Sequence, residues 1–350
     1  MKHPWEFDEA RFSLSGRKVL VTGAASVLGA EVCRQLVTEH HPALLRLFDQ
    51  NESGLFFAEQ QLRAAAPGIV GRLRTLMGDV RDRERLVRAF ERIDVVIHTG
   101  TLQHAALCEY NPFEAVQTNL IGVQNVISAA VEAGVQRVVL VSNGAAVDPV
   151  GVLGASHLMA ERLVTAAYQA SGSATTLLTS VRVGPLSHPH ADWLLTARDQ
   201  IRAGTPVVLP RHDERRFLLP LGDAARLVLT ATQTALGGEV FVCQSPVVRV
   251  RDLLTVLARA HHGQITESES AVRSVVSSLP TIADTGSPGL LSESEVPQAY
   301  ETPDYLVVLP NDRTPTPSLR RVTHPHRVED ATPLTPGGLE AFLRASGALP

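Results

Sequence analysis

Residues 19–35, VLVTGAASVLGAEVCRQ, constrain the fold of this chain more than any other stretch, because they read as a strand, a tight turn and a helix. Residues 19–21 are apolar, Gly23 opens the turn, and apolar residues then recur at helical spacing from about Ser26 to His40. In dinucleotide-binding folds such a turn approaches a pyrophosphate closely, and the helix N-terminus offers it N–H groups and partial positive charge. We therefore predict a pyrophosphate-binding turn formed by Gly23, Ser26, Val27, Leu28 and Gly29.

Asp49 supports the same interpretation, because it follows a second predicted strand (residues 44–48) and lies about 20 residues beyond Gly29. An acid at this place can accept both ribose hydroxyls of an adenosine and repels a 2′-phosphate, so it favours NAD over NADP. The alternative interpretation of Asp49 is the N-cap of the following helix.

The turn departs from the usual pattern at one position. Its spacing is Gly23-x-x-Ser26-x-x-Gly29, so a serine replaces the middle glycine. A side chain there narrows the approach of the pyrophosphate, although the serine hydroxyl can donate to phosphate. We expect weakened or altered binding of the cofactor rather than none.

Composition excludes several classes of protein. The chain has 350 residues, is 44% apolar and 19% charged, and carries a formal charge of −4, which gives no basic footprint for nucleic acid. No apolar run reaches about 18 residues and the beginning of the chain is charged, so we expect neither a membrane span nor a signal peptide. The three cysteines (Cys33, Cys108 and Cys243) are far apart and odd in number, which predicts no disulfide framework, no metal site and a cytoplasmic location.

Strands and helices alternate along the first half of the chain. Further strands are predicted at residues 72–77, 94–98, 137–142 and 175–183, with helices at 53–66, 83–92, 111–133 and 153–171. This alternation implies an α/β fold with a Rossmann-like, doubly wound parallel sheet, and ligands at the carboxyl ends of the strands. We assign residues 1–16 to a lead-in and residues 17–183 to the dinucleotide-binding domain.

From Gly184 proline and histidine accumulate, and the pattern changes to that of a smaller C-terminal substrate lobe. We place this lobe at residues 184–310, partly interleaved with the first domain, with helices at 193–203, 223–234 and 251–261 and strands at 207–209 and 305–309. Residues 264–287 are Ser-rich and are predicted to form a loop. Residues 311–350 are predicted to form an extended Pro/Thr-rich tail with a short helix at 339–345.

The chain resembles a known family across residues 16–310. The segments that carry the resemblance are VLVTGAASVLGAEVCRQ (19–35), LFDQNE (47–52), GDVRD (78–82), DVVIH (94–98), QHAALCEYNP (103–112), TNLIGVQNV (118–126), GVQRVVLVS (134–142) and YLVVLP (305–310). They are similar to the extended short-chain dehydrogenase/reductases. Within these they resemble the nucleotide-sugar 4,6-dehydratases of polysaccharide biosynthesis, which act on UDP-N-acetylglucosamine.

The resemblance implies further binding residues. It places Asp79 and Val80 at the adenine pocket, although Asp79 has the alternative role of capping the next helix. It also implies cofactor contacts for Thr99, Gly100, Thr101 and Asn119, and substrate contacts for Gln103, Arg182 and Arg216. The implied cofactor is NAD and the implied partner is a nucleotide-sugar-like small molecule, in what we expect to be a homo-oligomer.

The catalytic positions of the family are not conserved in this chain. Where the family reads STDKA and then YGATK, this chain reads SNGAA (142–146) and LGASH (153–157). The resemblance puts the proton-accepting tyrosine at Leu153, its lysine partner at His157, and the acid and base of the elimination step at Gly144 and Ala145. Leucine cannot move a proton, and loss of one general base typically lowers the rate by about 10²–10⁴.

Replacement catalytic groups would have to come from the same region. The candidates are His157, His104, Asn143 and Ser142. His157 lies one helical turn after Leu153 and titrates near neutrality, so it is a candidate relocated base, or else a surface or packing histidine. His104 matches a family histidine, and its alternative role is inherited structure. Cys108 has no evident activating neighbour.

Three functions therefore stay open from the sequence. The first is an enzyme that binds NAD and a nucleotide-linked or polar substrate with altered chemistry. The second is a catalytically inactive homologue that acts as a binding or regulatory subunit. The third is a cofactor-free enzyme that uses the cleft for a non-redox reaction.

Overall fold

The fold is taken from a computed structural model, which describes residues 12–170, 176–188, 192–204, 207–209, 215–261, 265–267, 290–302, 305–310, 319–327 and 330–349. The strands are β1 (Lys18–Thr22), β2 (Leu44–Asp49), β3 (Leu73–Met77), β4 (Val95–His98), β5 (Arg137–Asn143), β6 (Leu177–Val183), β7 (Leu186–Ser187), β8 (Val207–Leu209), β9 (Arg215–Phe217), β10 (Leu219–Pro220), β11 (Val240–Cys243), β12 (Val247–Arg249), β13 (Ile265–Glu267), β14 (Ala299–Glu301), β15 (Tyr305–Val308) and β16 (Arg320–Arg321). The α-helices are α1 (Val27–Gln35), α2 (Glu52–Ala65), α3 (Arg83–Phe90), α4 (Ala105–Tyr110), α5 (Pro112–Ala115), α6 (Gly122–Glu132), α7 (Val152–Ala170), α8 (Asp192–Arg202), α9 (Leu221–Thr234), α10 (Val250–Ala260) and α11 (Pro336–Ala345).

A large, mostly parallel sheet organises the molecule. Its strand order is β16-β14-β15-β11-β6-β5-β4-β1-β2-β3, and the strands from β11 to β3 run parallel. The strand order reverses between β1 and β4, where Thr22 is in register with His98. This reversal is the switch point at which doubly wound sheets bind ligands, so the predicted fold class is confirmed.

The sheet is buried on both faces because its strands alternate their side chains between two helical layers. Val19 and Val21 of β1 pack in the core beside α1, α2 and α9. Leu20 points the other way, into the core formed with α3, α6 and α7. The near-continuous apolar strands seen in the sequence are the consequence of this double burial.

Side-chain caps fix where the helices begin. Ser26, Asn51 and Asp82 accept backbone N–H groups at the starts of α1, α2 and α3. Thr335 does the same for α11, which therefore begins three residues earlier than predicted.

Two helices contain π-helical turns that the sequence pattern did not predict. Residues 36–40 continue α1, and residues 116–121 join α5 to α6. In the second, the N–H of Gly122 donates to Gln117 O rather than to the carbonyl four residues back. Such single π-turns occur often at functional sites.

The second half of the chain builds a separate apolar cluster and extends the sheet. Helices α8, α10 and α11 pack around a common core that includes Leu254 and Leu339. Strand β15 pairs antiparallel with β11, and β14 and β16 continue this edge. Within the segment predicted to be an extended tail, Val322 and α11 are packed against these elements, and residues 311–318 lie outside the described ranges.

Candidate functional site

The predicted pyrophosphate turn packs tightly against the loop that follows β4. Gly23 has φ of +69°, and a Cβ added to it would lie 2.5 Å from the backbone N of Gly100. A Cβ on Gly29 would lie 2.2 Å from Gly23 O. These contacts explain why both positions are glycine: the backbone of the turn leaves no room for a side chain.

Ser26, which replaces the middle glycine, is the N-cap of α1. Its Oγ accepts the N–H of Gly29 at 3.0 Å and lies 3.4 Å from Thr99 Oγ1. Ser26 and Val27 are exposed at the open side of the turn. The N–H groups of Val27 and Leu28 belong to the first helical turn, whose donors have no partner within the helix and suit an anion.

Asp49 lies at the end of β2, beside the turn. Its two carboxylate oxygens accept the N–H groups of Ala25 at 3.0 Å and Asn51 at 2.9 Å. The N-cap of α2 is Asn51, whose side chain accepts the N–H of Gly54 at 2.9 Å. The alternative role of Asp49 as that N-cap is therefore wrong, and the acid points toward the turn.

Asp79 and Val80 follow β3. The cap of α3 is Asp82, so the alternative role of Asp79 is also wrong. Partial burial opposes ionisation of Asp79, but the hydrogen bonds and charge of Arg81 outweigh it and lower the pKa of that carboxyl. Val80 is buried in the core beside α3 and α6 and lies against Gly122.

Residues 99–103 follow β4 and contact the predicted pyrophosphate turn at one end and the end of β5 at the other. Thr99 Oγ1 donates to Thr22 O at 2.9 Å and also lies 3.1 Å from Gly23 O. At the other end of the loop, Asn143 Nδ2 donates to Gln103 Oε1 at 2.9 Å. Asn119, fully buried, accepts the N–H of Leu102 at 2.8 Å.

Polar side chains line the carboxyl ends of the central strands. Thr22 Oγ1 and His98 Nδ1 are 2.6 Å apart, and both residues are fully buried. His98 Nε2 and Ser142 Oγ have no hydrogen-bond partner among the described residues. Burial, with a contribution from the nearby His157, lowers the pKa of His98 to about 4. The sequence analysis missed His98, and its place at the end of a strand next to the turn was the signal available.

His157 is fully buried on α7, so it is not a surface histidine. Its Nε2 lies 3.2 Å from Leu102 O, and its Nδ1 has no partner within the described chain. Burial lowers the pKa of His157 below its usual value, although Leu102 O and Glu161 act in the opposite direction.

Comparison with known proteins identifies the family. The family model described as "Polysaccharide biosynthesis protein" matches residues 19–276. The chain belongs to this family. Its relatives include an uncharacterized membrane protein of Methanocaldococcus jannaschii, which is 40% identical over 69% of this chain and 70% of its own length. Another is an inverting UDP-N-acetylglucosamine 4,6-dehydratase of Campylobacter jejuni, which is 31% identical over 69% of this chain and 71% of its own length.

Solved structures agree on the fold. Pen from Bacillus thuringiensis superposes with a TM-score of 0.84 and 29% identity, covering 96% of this chain and 99% of its own. A dTDP-glucose 4,6-dehydratase of Streptomyces venezuelae, crystallised with NAD, gives a TM-score of 0.60 at 22% identity, covering 72% and 84%. The extended short-chain dehydrogenase/reductase fold is therefore confirmed.

Leu153, which the resemblance predicts to stand in place of the family's tyrosine, lies in a buried apolar cluster. Its neighbours there include Cys108, Ala115 and Ala145, with Leu102 packed at the side. Burial, more than the charge of Glu109, raises the pKa of the Cys108 thiol, which disfavours the reactive thiolate. Apolar side chains thus surround the position at which the resemblance predicts the family's proton-accepting tyrosine.

The remaining catalytic candidates lie at the rim of this cluster. His104 is exposed at the start of α4 and gives no side-chain cap to that helix. Asn143 is half-buried, and its Oδ1 accepts the N–H of Ala145 at 2.8 Å. Gln103 is exposed beside Asn143.

Arg182 does not lie where a substrate can reach it, which corrects its assignment as a substrate-binding residue. Its guanidinium is buried between Glu161 at 2.6 Å and Glu295 at 2.9 Å. Although burial opposes its charge, these two carboxylates raise the pKa of Arg182 above its ordinary value. Because the ion pairs occupy the side chain, the residue joins β6 and α7 to the segment that carries Glu295.

Arg216, the other predicted phosphate contact, lies in β9. It is largely buried, and its Nη1 donates to Arg215 O at 2.8 Å. The strand pairs with β12 in a two-stranded sheet, which is separate from the large sheet that carries the predicted pyrophosphate turn. Its role toward a phosphate stays a prediction.

Two classes of feature are absent from the described residues. They contain no group of three or more histidine, cysteine or acidic side chains arranged to hold a metal ion. Within the same ranges, none of the helices combines the length and the apolar character needed to cross a membrane. All three cysteines are free and buried.

Proposed function

We propose that this chain binds NAD at the carboxyl ends of β1, β2 and β4, with a nucleotide-linked sugar beside it. The observation that carries the proposal is the turn from Gly23 to Gly29 with the Asp49 carboxylate beside it. A carboxylate can accept about four hydrogen bonds, and Asp49 uses one on each oxygen, so acceptor capacity is left for two ribose hydroxyls. A fold neighbour crystallised with NAD supports the same cofactor.

The residues present fit this cofactor. The turn and the first N–H groups of α1 would hold the pyrophosphate, and Asp49 would hold the adenosine ribose. Val80 would line the adenine pocket, and residues 99–101 would supply the further contacts to the cofactor that the resemblance implies. Bound NAD supplies a hydride acceptor, and the protein supplies binding and orientation.

The same geometry favours binding without the family's dehydration chemistry. Leu153, which cannot transfer a proton, lies in an apolar cluster, and positions 144 and 145 carry no titratable group. We therefore propose a binding or regulatory subunit that recognises NAD and a nucleotide sugar.

A second candidate function is an enzyme with altered chemistry. The observation in its favour is Ser142, whose buried hydroxyl has no partner among the described residues and lies at the end of β5. A hydroxyl in this state can hydrogen-bond a substrate group. Asn143 follows Ser142 in the chain, and its Nδ2 donates to the exposed Gln103, which precedes the exposed His104.

Calorimetric titration of the purified chain with NAD and with NADP tests the proposal. Binding of NAD, with NADP at least about tenfold weaker, is the expected result, because an acid at the ribose disfavours a 2′-phosphate. Native mass spectrometry of the untreated protein shows in parallel whether a dinucleotide or a nucleotide sugar stays bound. Absence of binding of either dinucleotide at millimolar concentration, or a clear NADP preference, contradicts it.

A further inference from the structure

Leu102 is held from two sides by buried side chains. Its N–H donates to Asn119 Oδ1 at 2.8 Å, and its carbonyl oxygen lies 3.2 Å from His157 Nε2. Both side chains are fully buried, and they come from different elements, the π-turn before α6 and helix α7. The two hydrogen bonds hold the backbone N–H and the backbone carbonyl of Leu102, a residue within the loop 99–103.

The loop 99–103 contacts both the predicted pyrophosphate turn and the polar residues at the end of β5. Thr99 and Gly100 pack against Gly23 of the turn. At its far end Gln103 accepts from Asn143, next to Ser142. A displacement of Leu102 would therefore move both the wall of the turn and the polar group beside Ser142.

The contact also fixes the hydrogen positions on His157. A carbonyl oxygen only accepts, so Nε2 must carry the proton and donate to Leu102 O. In the neutral ring Nδ1 is then an acceptor, and it has no partner among the described residues. Burial lowers the pKa of His157 and so favours the neutral ring.

A neutral donor fits this position better than a lysine does. An ammonium group has three donors, whereas the hydrogen bond that residue 157 makes among the described residues is to one acceptor, Leu102 O. Burying a charge with unsatisfied donors is strongly unfavourable. Replacement of the family's lysine by histidine thus matches the dry surroundings created by the apolar cluster around Leu153.

We propose that His157 is a positioning residue which, together with Asn119, clamps Leu102 and so holds the loop 99–103 in the shape that receives the dinucleotide. The proposal rests on the proposed binding of NAD for its effect on ligands. The clamp itself exists in the free protein, and can be tested there. His157 acts through the loop, and is not a proton-transfer group.

The test compares His157→Gln, which keeps an N–H donor, with His157→Leu, which removes it. Hydrogen–deuterium exchange of the free protein, followed in a peptide that covers residues 99–104, reports the N–H of Leu102. We expect exchange about tenfold faster in His157→Leu, because losing the bond at Leu102 O lets the loop open more often and breaks the Leu102 N–H bond to Asn119 with it, and close to wild type in His157→Gln. Met159→Ala is the matched control, because this residue is on the same helix with its side chain 50% exposed.

Affinity for NAD should follow the same order. His157→Leu is expected to weaken binding about tenfold, with little change in His157→Gln or Met159→Ala. Wild-type exchange in His157→Leu, or equal acceleration in both His157 variants, overturns the clamp. If the wild-type protein binds no dinucleotide, the proposed function fails, and the exchange result still decides the clamp.

A measurement on the wild-type protein guards against a variant that does not fold. In ¹³C,¹⁵N-labelled wild-type protein, the ring signals of His157, assigned through its backbone, should show a neutral ring with the proton on Nε2. A proton on Nδ1 instead would contradict the bond to Leu102 O and overturn the proposal.

Discussion

The carboxylate of Asp49 accepts the backbone N–H of Ala25 at 3.0 Å, so the acid at the end of β2 supports the turn that follows β1. Its other oxygen accepts the N–H of Asn51, the residue that caps α2. One side chain thereby joins the pyrophosphate turn to the helix after the second strand. The same carboxylate is the proposed acceptor for the adenosine ribose, so binding and local structure depend on one residue.

Asp49→Ala is expected to weaken NAD binding by about 1–3 kcal/mol, the range for hydrogen-bonding partners left unsatisfied. Calorimetry measures the affinity, and Asp49→Asn is the control, since an amide retains one acceptor oxygen but no charge. Equal affinity of a folded Asp49→Ala protein and the wild type would mean that Asp49 only supports the backbone of Ala25 and Asn51.

Arg182→Met is expected to destabilise the protein by about 3–5 kcal/mol, because it leaves the buried carboxylates of Glu161 and Glu295 without their cation. The free energy of unfolding, from urea titration, is the measurement. Arg344→Met is the matched control, as Arg344 pairs with Glu340 at the surface and its loss should change stability by at most about 0.5 kcal/mol. Similar effects of the two substitutions would contradict a structural role for Arg182.

Acid should destabilise the fold through His98. Its pKa is lowered to about 4 by burial and by His157, whereas an unfolded histidine titrates near 6.5. Between these values the unfolded chain binds a proton that the folded chain does not. The contribution of His98 to the free energy of unfolding is therefore complete above about pH 6.5, and it decreases by about 3 kcal/mol as the pH falls to about 4.

Urea unfolding at several pH values checks this dependence on His98. In His98→Gln the decrease between pH 6.5 and 4 should be smaller by that amount, because the amide does not titrate. Met159→Ala, at an exposed residue that does not titrate, should leave the pH dependence unchanged. His98 contacts Thr22 and is influenced by His157, and His157 is in turn influenced by Glu161. If stability in His98→Gln falls with pH as steeply as in the wild type, the pH dependence does not come from His98 and would be assigned to His157.

The sequence predicted the sheet and the turn well because these depend on local patterns. Residues 19–35 carry a strand, a glycine at positive φ and an amphipathic helix, and each is a short-range signal. The position of Asp49 at a strand end followed from the same alternation. Where two roles competed, as for Asp49 and the N-cap of α2, only the structure could assign the cap to Asn51.

The parts that could not be predicted depend on contacts between distant residues. The burial of Arg182 depends on Glu295, which is 113 residues away in the chain. The π-turn that carries Asn119 has an ordinary helical sequence, and its bond to Leu102 appears only when α6 packs beside the loop. His157 likewise has the spacing of a catalytic residue, and its burial beside Leu102, which is 55 residues away in the chain, appears only in the folded protein.

We expect no measurable 4,6-dehydration of UDP-N-acetylglucosamine by this chain. The resemblance to the family implies a reaction in which the C4 hydroxyl is oxidised, a C5 proton and the C6 hydroxyl are lost, and the hydride returns. The first step needs a proton acceptor where Leu153 is packed in hydrocarbon, and the second needs an acid and a base where Gly144 and Ala145 stand. His157 donates to Leu102 O and is buried, so we do not expect it to replace any of these groups.

Restoring only part of the family's set should not restore the product. Leu153→Tyr with His157→Lys returns the groups of the oxidation step, so slow reduction of NAD is the most that is expected, and the elimination groups are still missing. The assay is product mass, read as loss of water from the sugar nucleotide after long incubation with NAD. Wild-type turnover at about 1 s⁻¹ or more, a rate typical of enzymes, would show that other residues supply the proton transfers and would rule out the binding-subunit proposal.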